Sequence, residues 1–403
     1  MNQSLADRGN VMLRTIASVM LLCCSANAFG QQPAEYRSKN FLMRTDLSKD
    51  QATALLEKLE TMLGLISKYW AVPNRQRLEC YVVADLKNWP ANSIDPRALE
   101  SLQAKSGVTL AGAKRLRNQT VVRAISYSTA HKTIAQHEAV HAYCYTAFGT
   151  CGPQWYAEGM AEMGAMWIEG ETRVTAPRYR TEFLRRSERK SIKDITQGQT
   201  GKIGSWRTYS WRWALCHLLA NNKNYAQRFR PLGMALLTRK RDSFGNTYGK
   251  YLKEMEFEYN FFLDRIQPGF DVAACSWDWN TRFRKLKPGK VNKSIVRANL
   301  GFQATGVEVV AGETYKIATD GKWRVEKDGA QLTATGDKTS KRGVLEAVTL
   351  SKYQLSKPFE PPASGTFTAK ESGDLYFRCR DSWGNITDNE GQIIVSVSPN
   401  TAD

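Results

Sequence analysis

His137 and His141 stand four residues apart, with Glu138 directly after the first, and that spacing admits few folds. Only an α-helix sets side chains i and i+4 one above the other on a single face, where two imidazoles reach one cation. Residues 137–141 are therefore expected on a helix inside a mixed, partly helical domain. Glu138 then lies about a third of a turn from the first histidine, beside the cation and not on it, where it can take a proton from an activated water. A shuffled chain of this composition produces H-E-x-x-H roughly twice in a thousand sequences, so chance explains the pattern poorly.

The third ligand decides the kind of site. The positions three and six residues beyond His141 are Cys144 and Ala147, and the next histidine is His217, so a compact three-histidine site is excluded. An acid on a neighbouring helix is required. Seventeen residues after His141 comes Glu158, inside Trp155–Glu162 (WYAEGMAE), and Gly152–Pro153 break the chain so that this second helix folds back on the first. Two histidines and one carboxylate leave the fourth position of a zinc ion for water, as catalytic sites do. Glu162, one turn beyond Glu158, is placed to accept the free N–H of a ligating histidine. Tyr156, Tyr179 and Tyr209 are all candidate donors to the oxyanion of a tetrahedral intermediate, and the sequence does not choose among them. His131 and His217 read as structural histidines with their hydrogen bonds satisfied.

The N-terminus reads as a targeting segment. Arg8 and Arg14 precede an apolar run, Thr15–Cys24, and Ala26 and Ala28 stand in the relation a signal peptidase recognises, so residues 1–30 are expected to be a signal peptide. The run is about half the length of a membrane span. An exported protein, periplasmic or secreted, with no transmembrane segment after cleavage, is the expectation. Export favours disulfides among Cys80, Cys144, Cys151, Cys216, Cys275 and Cys379. Cys144 and Cys151 bracket a turn and are the expected pair. The net charge of +18 gathers at Arg178–Lys193, Arg239–Arg241 and Arg282–Lys293. It favours acidic partners or polyanionic glycans, and outside the cell no nucleic acid is expected.

Ser48 and Gln51 form a capping box before a helix that Pro73 closes. A buried strand follows at Leu78–Ala84, then a short helix opened by Asp95–Pro96 and ended by Gly107. Val121–Tyr127 reads as a strand leading into the motif helix, and it is expected to pair with an extended substrate. Further helices are expected at Tyr156–Ile168, Tyr209–Ala220, Asn224–Leu237 and Thr247–Ile266. Near residue 285 the pattern changes to short strands and Gly-rich turns, with strands at Thr314–Thr319, Gly365–Ala369, Leu375–Arg380 and Gln392–Ser398. Residues 285–293 are the expected basic linker and 294–403 an all-β sandwich.

H-E-x-x-H followed by W-x-x-E-G-x-A-E resembles the gluzincin branch of zinc metallopeptidases, the thermolysin-like zincins. The resemblance implies an α+β zincin-like catalytic domain over residues 31–284, with a mainly helical lower half. It implies zinc on His137, His141 and Glu158, Glu138 as base, and a peptide or protein substrate. Endo- or exopeptidase action stays open. Gly301–Trp323 and Ser372–Val397 resemble the β-sandwich of calcium-dependent galactose-binding bacterial lectins, the matching piece being Arg380–Gly391 (RDSWGNITDNEG). That second resemblance implies calcium on Asp381, Asp388 and Asn389 and galactose-type glycans as partners. A non-catalytic zinc- and glycan-binding envelope protein is the alternative, and an intact Glu138 argues against it.

Overall fold

The computed structural model describes residues 32–116, 119–198 and 204–400; the expected signal peptide, residues 1–30, lies outside them. The first helix, α1 (Lys49–Trp70), starts at the expected capping box, where Ser48 accepts from the Gln51 amide and the Gln51 side chain accepts in return. Around it β1 (Ala34–Arg37), β2 (Phe41–Thr45), β3 (Leu78–Val83), β4 (Gly107–Leu116) and β5 (Gln119–Thr129) form one sheet in the order β1-β2-β3-β5-β4. The central strands β2, β3 and β5 run parallel, and β1 and β4 flank them antiparallel. Side-chain alternation decides the two faces. Phe41, Met43, Leu78, Cys80 and Val82 turn into the large helical core. Val83 and Tyr127 turn the other way, against Ala98 and Leu102 of α2 (Pro96–Gln103).

The helical half comprises α3 (Lys132–Phe148), α4 (Gln154–Met166), α5 (Arg178–Arg186), α6 (Ile192–Thr196), α7 (Trp206–Asn221), α8 (Ala226–Leu237), α9 (Phe244–Tyr248) and α10 (Leu252–Arg265). Helix α3 is buried on nearly every side, between the sheet and its neighbours α1 and α4. Helix α4 lies against α7, and Gly159 sets how close they come. A Cβ there would stand 2.3 Å from Cys216 Sγ and 2.9 Å from the Arg212 carbonyl.

Two expectations change here. Gly107 does not end a helix: α2 stops at Gln103, and Gly107 opens β4, a ten-residue strand hidden in GVTLAGAKRL by its glycines and alanines. Strand β5, expected to pair with substrate, is interior, bonded on both sides by β3 and β4. The edges of the sheet are β1 and β4, and β4 is the one that packs against α3.

The C-terminal strands are β6 (Arg284–Lys285), β7 (Asn292–Arg297), β8 (Gln303–Val309), β9 (Thr314–Arg324), β10 (Leu345–Ser351), β11 (Gln354–Leu355), β12 (Ser364–Thr368), β13 (Gly373–Cys379) and β14 (Glu390–Pro399). They make two sheets, β11-β10-β13-β8-β6 and β12-β9-β14-β7. Leu345, Ala347, Leu375 and Phe377 of the first meet Ile317, Trp323, Ile393 and Val395 of the second in one core, so the architecture is mixed α/β with a β-sandwich. The expected linker is partly strand: β6 pairs with β8, β7 begins at Asn292, and only 286–291 run between them.

A dense aromatic contact joins the sandwich to the helices. Phe261 of α10 packs with Trp277, Phe302 and Tyr376. The Arg378 guanidinium lies 3.8 Å from the Trp383 ring centre, and Arg265 lies 3.8 Å from that of Phe261. Glu346 neutralises Arg378 at 2.6 Å. Among the described residues no helix is long and apolar enough to cross a membrane.

Candidate metal centre

The break between α3 and α4 is made by Gly149 and Gly152, both at positive φ, and by Pro153, which precedes the first residue of α4. The chain reverses there, and Glu158 of α4 faces the histidines of α3. Three donor atoms converge. His137 Nε2 lies 3.2 Å from Glu158 Oε2, His141 Nε2 lies 3.2 Å from His137 Nε2, and His141 Nε2 lies 3.5 Å from Glu158 Oε2. Ligands held about 2.0–2.1 Å from a zinc ion at tetrahedral angles stand about 3.3–3.4 Å apart, so the donor set fits zinc in number, type and spacing. Among the described residues this is the one cluster of three or more His, Cys, Asp or Glu that comes together so.

The electrostatics agree with the spacing. Burial pushes the Glu158 carboxyl up, but hydrogen bonds from His137 and His141 outweigh it and hold the group well below its ordinary value. Burial depresses His137, yet Glu158 and Glu162 together raise it to about 9. Both shifts mean that the cluster favours positive charge where the donor atoms meet. Glu162 sits as expected, its Oε1 3.2 Å from His137 Nδ1, and its other oxygen is held by Arg180 of α5. That pairing fixes which nitrogen of His137 faces the cluster.

Glu138 lines the same cleft without joining the donor set. Thr109 of β4 donates to its Oε2 at 2.8 Å, and the same hydroxyl lies 2.9 Å from the Glu138 carbonyl. Gly107 lets the strand pass this close, since a Cβ there would stand 2.6 Å from Glu138 Cγ. Burial pushes the Glu138 carboxyl up, against the lowering pull of His137, His141 and Thr109. Sequence reasoning missed Thr109, Gly107 and Arg180. The first two lay in a strand not seen, and Arg180 was one arginine in a run of charges.

The cleft holds about 360 Å³, and Gly107, Val108 and Thr109 form one wall of it. Of the three tyrosines, Tyr209 alone lines it, its ring stacked on His137 at 5.3 Å. Tyr156 is buried and accepts from Trp70 Nε1 at 2.8 Å, and Tyr179 is 55% exposed beside Trp206. His131 is exposed at the start of α3, with its Nδ1 on Thr133.

The expected disulfide is not formed. All six cysteines of the described residues are free and buried. Cys144 of α3 and Cys151 of the α3–α4 turn are both buried free thiols, and Cys151 Sγ lies 3.6 Å from the His141 carbonyl. Cys275 belongs to the helical core and Cys379 to the sandwich core, so no bridge crosses between them. Thiol counting on denatured, unreduced protein prepared without residues 1–30 should give six per chain, or four where the Cys144–Cys151 pair has oxidised. Fewer than four contradicts these placements.

The loop expected to hold calcium has another occupation. Asp381 is 6% exposed and pairs through both oxygens with Arg342, at 2.8 and 3.2 Å. Asp388 is exposed on a short 3-10 turn, and Asn389 is buried, donating to the Ala298 carbonyl. A calcium ion would have to displace the guanidinium. Between these residues Ile386 is wholly buried in the helical core and Trp383 packs at its edge, so the loop docks the sandwich onto the helices.

No protein-family model and no curated protein matches the sequence. Among solved structures the chain is similar to one described as "EclA N-terminal domain; PllA-like lectin", with 21% identity, 27% of this chain and 96% of that chain covered, and a TM-score of 0.22.

Proposed function

We propose that the protein is an exported zinc-dependent metallopeptidase of gluzincin type. The observation that carries this reading is the convergence of His137, His141 and Glu158 at tetrahedral spacing with a buried carboxylate, Glu138, beside them and outside the donor set. His137, His141 and Glu158 would hold the ion, which supplies Lewis acidity toward the scissile carbonyl and its attacking water. Glu138, raised by burial, takes the proton of that water and returns it to the leaving amine nitrogen. Tyr209 is the phenol placed to donate to the developing oxyanion. The free edge of β4, which forms one wall of the cleft, offers an extended substrate a strand to pair with.

The purified mature protein should cleave a mixed peptide library, lose that activity with a strong chelator and regain it with zinc. Undiminished cleavage under chelation, or none with zinc restored, overturns the reading. Thr109 positions the base through one hydrogen bond, so Thr109→Val should lower kcat about tenfold with KM and zinc content nearly unchanged. An equal fall in zinc content would make Thr109 a part of the metal site instead.

A further inference from the structure

Close to the bond under attack, the metal cleft carries no charge that could choose among substrates. Among the described residues it holds no lysine or arginine, and its carboxylates and imidazoles are those of the metal centre. The strand that walls it is different. β4 runs on past Thr109 to Leu116 with its outer edge unpaired. From Ala111 to Arg115 the strand is exposed, and this stretch ends in two adjacent cations, Lys114 and Arg115. Neither pairs with an acid among the described residues. Arg123 of the neighbouring β5, by contrast, is neutralised by Glu79 at 2.6 Å.

β4 keeps one unbroken register with β5, so its side chains alternate between the two faces throughout. Arg115 therefore shares the face of Thr109, toward Glu138, and Lys114 shares the opposite face, with Val108 and Leu110. The two cations stand five and six residues beyond Thr109. At about 3.4 Å per residue, that is about 17 and 20 Å along the strand. Thr109 holds the base, so the bond under attack lies across from it. A peptide that pairs antiparallel with the edge, the commoner and stronger arrangement, runs its N-terminal side toward Lys114 and Arg115. Side chains directly opposite across such a pair lie on one face, with Cβ atoms about 4.5–5.5 Å apart. Because the cations occupy opposite faces, an acid at either of two successive substrate positions meets one of them. Resting on the peptidase reading above, we propose that the protein selects extended peptide segments bearing Asp or Glu about five and six residues N-terminal to the scissile bond, with Lys114 and Arg115 as the selecting residues.

Protein without residues 1–30 is given peptides that share one core, taken from the library member cleaved best. They differ only at the two positions in question, which carry Asp-Glu, Gln-Gln or Lys-Lys. A second series places the same pairs at the mirrored positions on the C-terminal side. At about 10 mM salt, where charges act over about 30 Å, kcat/KM should be about tenfold higher for N-terminal Asp-Glu than for Lys-Lys, mainly through KM, with Gln-Gln between them. At about 1 M salt, where the screening length falls to about 3 Å, the ratio should approach one. Lys114→Glu combined with Arg115→Glu should invert the order at low salt. Equal kcat/KM for the acidic and basic peptides, a ratio that salt leaves intact, an order that survives the double reversal, or a preference shown only by the C-terminal series overturns the proposal, while the cleavage itself upholds the peptidase reading. No cleavage of any peptide with zinc restored overturns both.

Discussion

Glu138→Gln should lower turnover by about 10² to 10⁴ while the protein keeps its zinc, because the change removes a proton acceptor and no ligand. The shape of the side chain is preserved, and the amide can still take the hydrogen bond from Thr109 that holds it against β4. Glu158→Gln differs in kind: it weakens a donor atom, so zinc occupancy should fall together with activity. The contrast separates the two carboxylates, which line the same cleft while only Glu158 belongs to the converging donor set. If both variants retain zinc equally, or lose it equally, the roles assigned to Glu138 and Glu158 are wrong.

Trp70→Ala should be among the most destabilising single changes in the helical half, at about 3–5 kcal/mol. Trp70 is 1% exposed, stacks on Tyr143 of α3 at 5.9 Å, meets Phe148 edge-on and donates to the Tyr156 hydroxyl of α4. Truncation leaves a large cavity between α1, α3 and α4 and removes the hydroxyl's donor. The melting temperature should fall by on the order of 10 °C. Tyr156 is two residues from Glu158, so zinc affinity should weaken too. A loss below about 1 kcal/mol would mean that the three helices are held by something other than this aromatic contact.

What the sequence revealed of the site follows the reach of local rules. The i, i+4 spacing of His137 and His141 is a property of one helix, and Gly152–Pro153 announced the reversal that returns Glu158 and Glu162. Thr109 could not be found that way. Its strand reads GVTLAGAKRL, without the alternation that marks a half-buried strand, and its partner Glu138 lies 29 residues on. Strand β5 is legible in the sequence, yet its interior place in the sheet depends on that same inconspicuous neighbour, β4. In the Arg380–Gly391 loop the acids and amides suit a cation on composition, while the pairing of buried Asp381 with Arg342 and the insertion of Ile386 into the other core depend on tertiary packing that the sequence does not announce. The disulfide expectation rests on the compartment and not on any local pattern, and all six cysteines of the described residues are free and buried.

The central claim is that His137, His141 and Glu158 form one zinc site, and metal analysis tests it most directly. The mature protein, purified without added metal and dialysed against a weak chelator, should carry about one zinc per chain. His137→Ala and His141→Ala should each carry less than about a tenth of that, with the fold intact by circular dichroism. Full zinc occupancy in either variant, or none in the unaltered protein after incubation with zinc, contradicts the account.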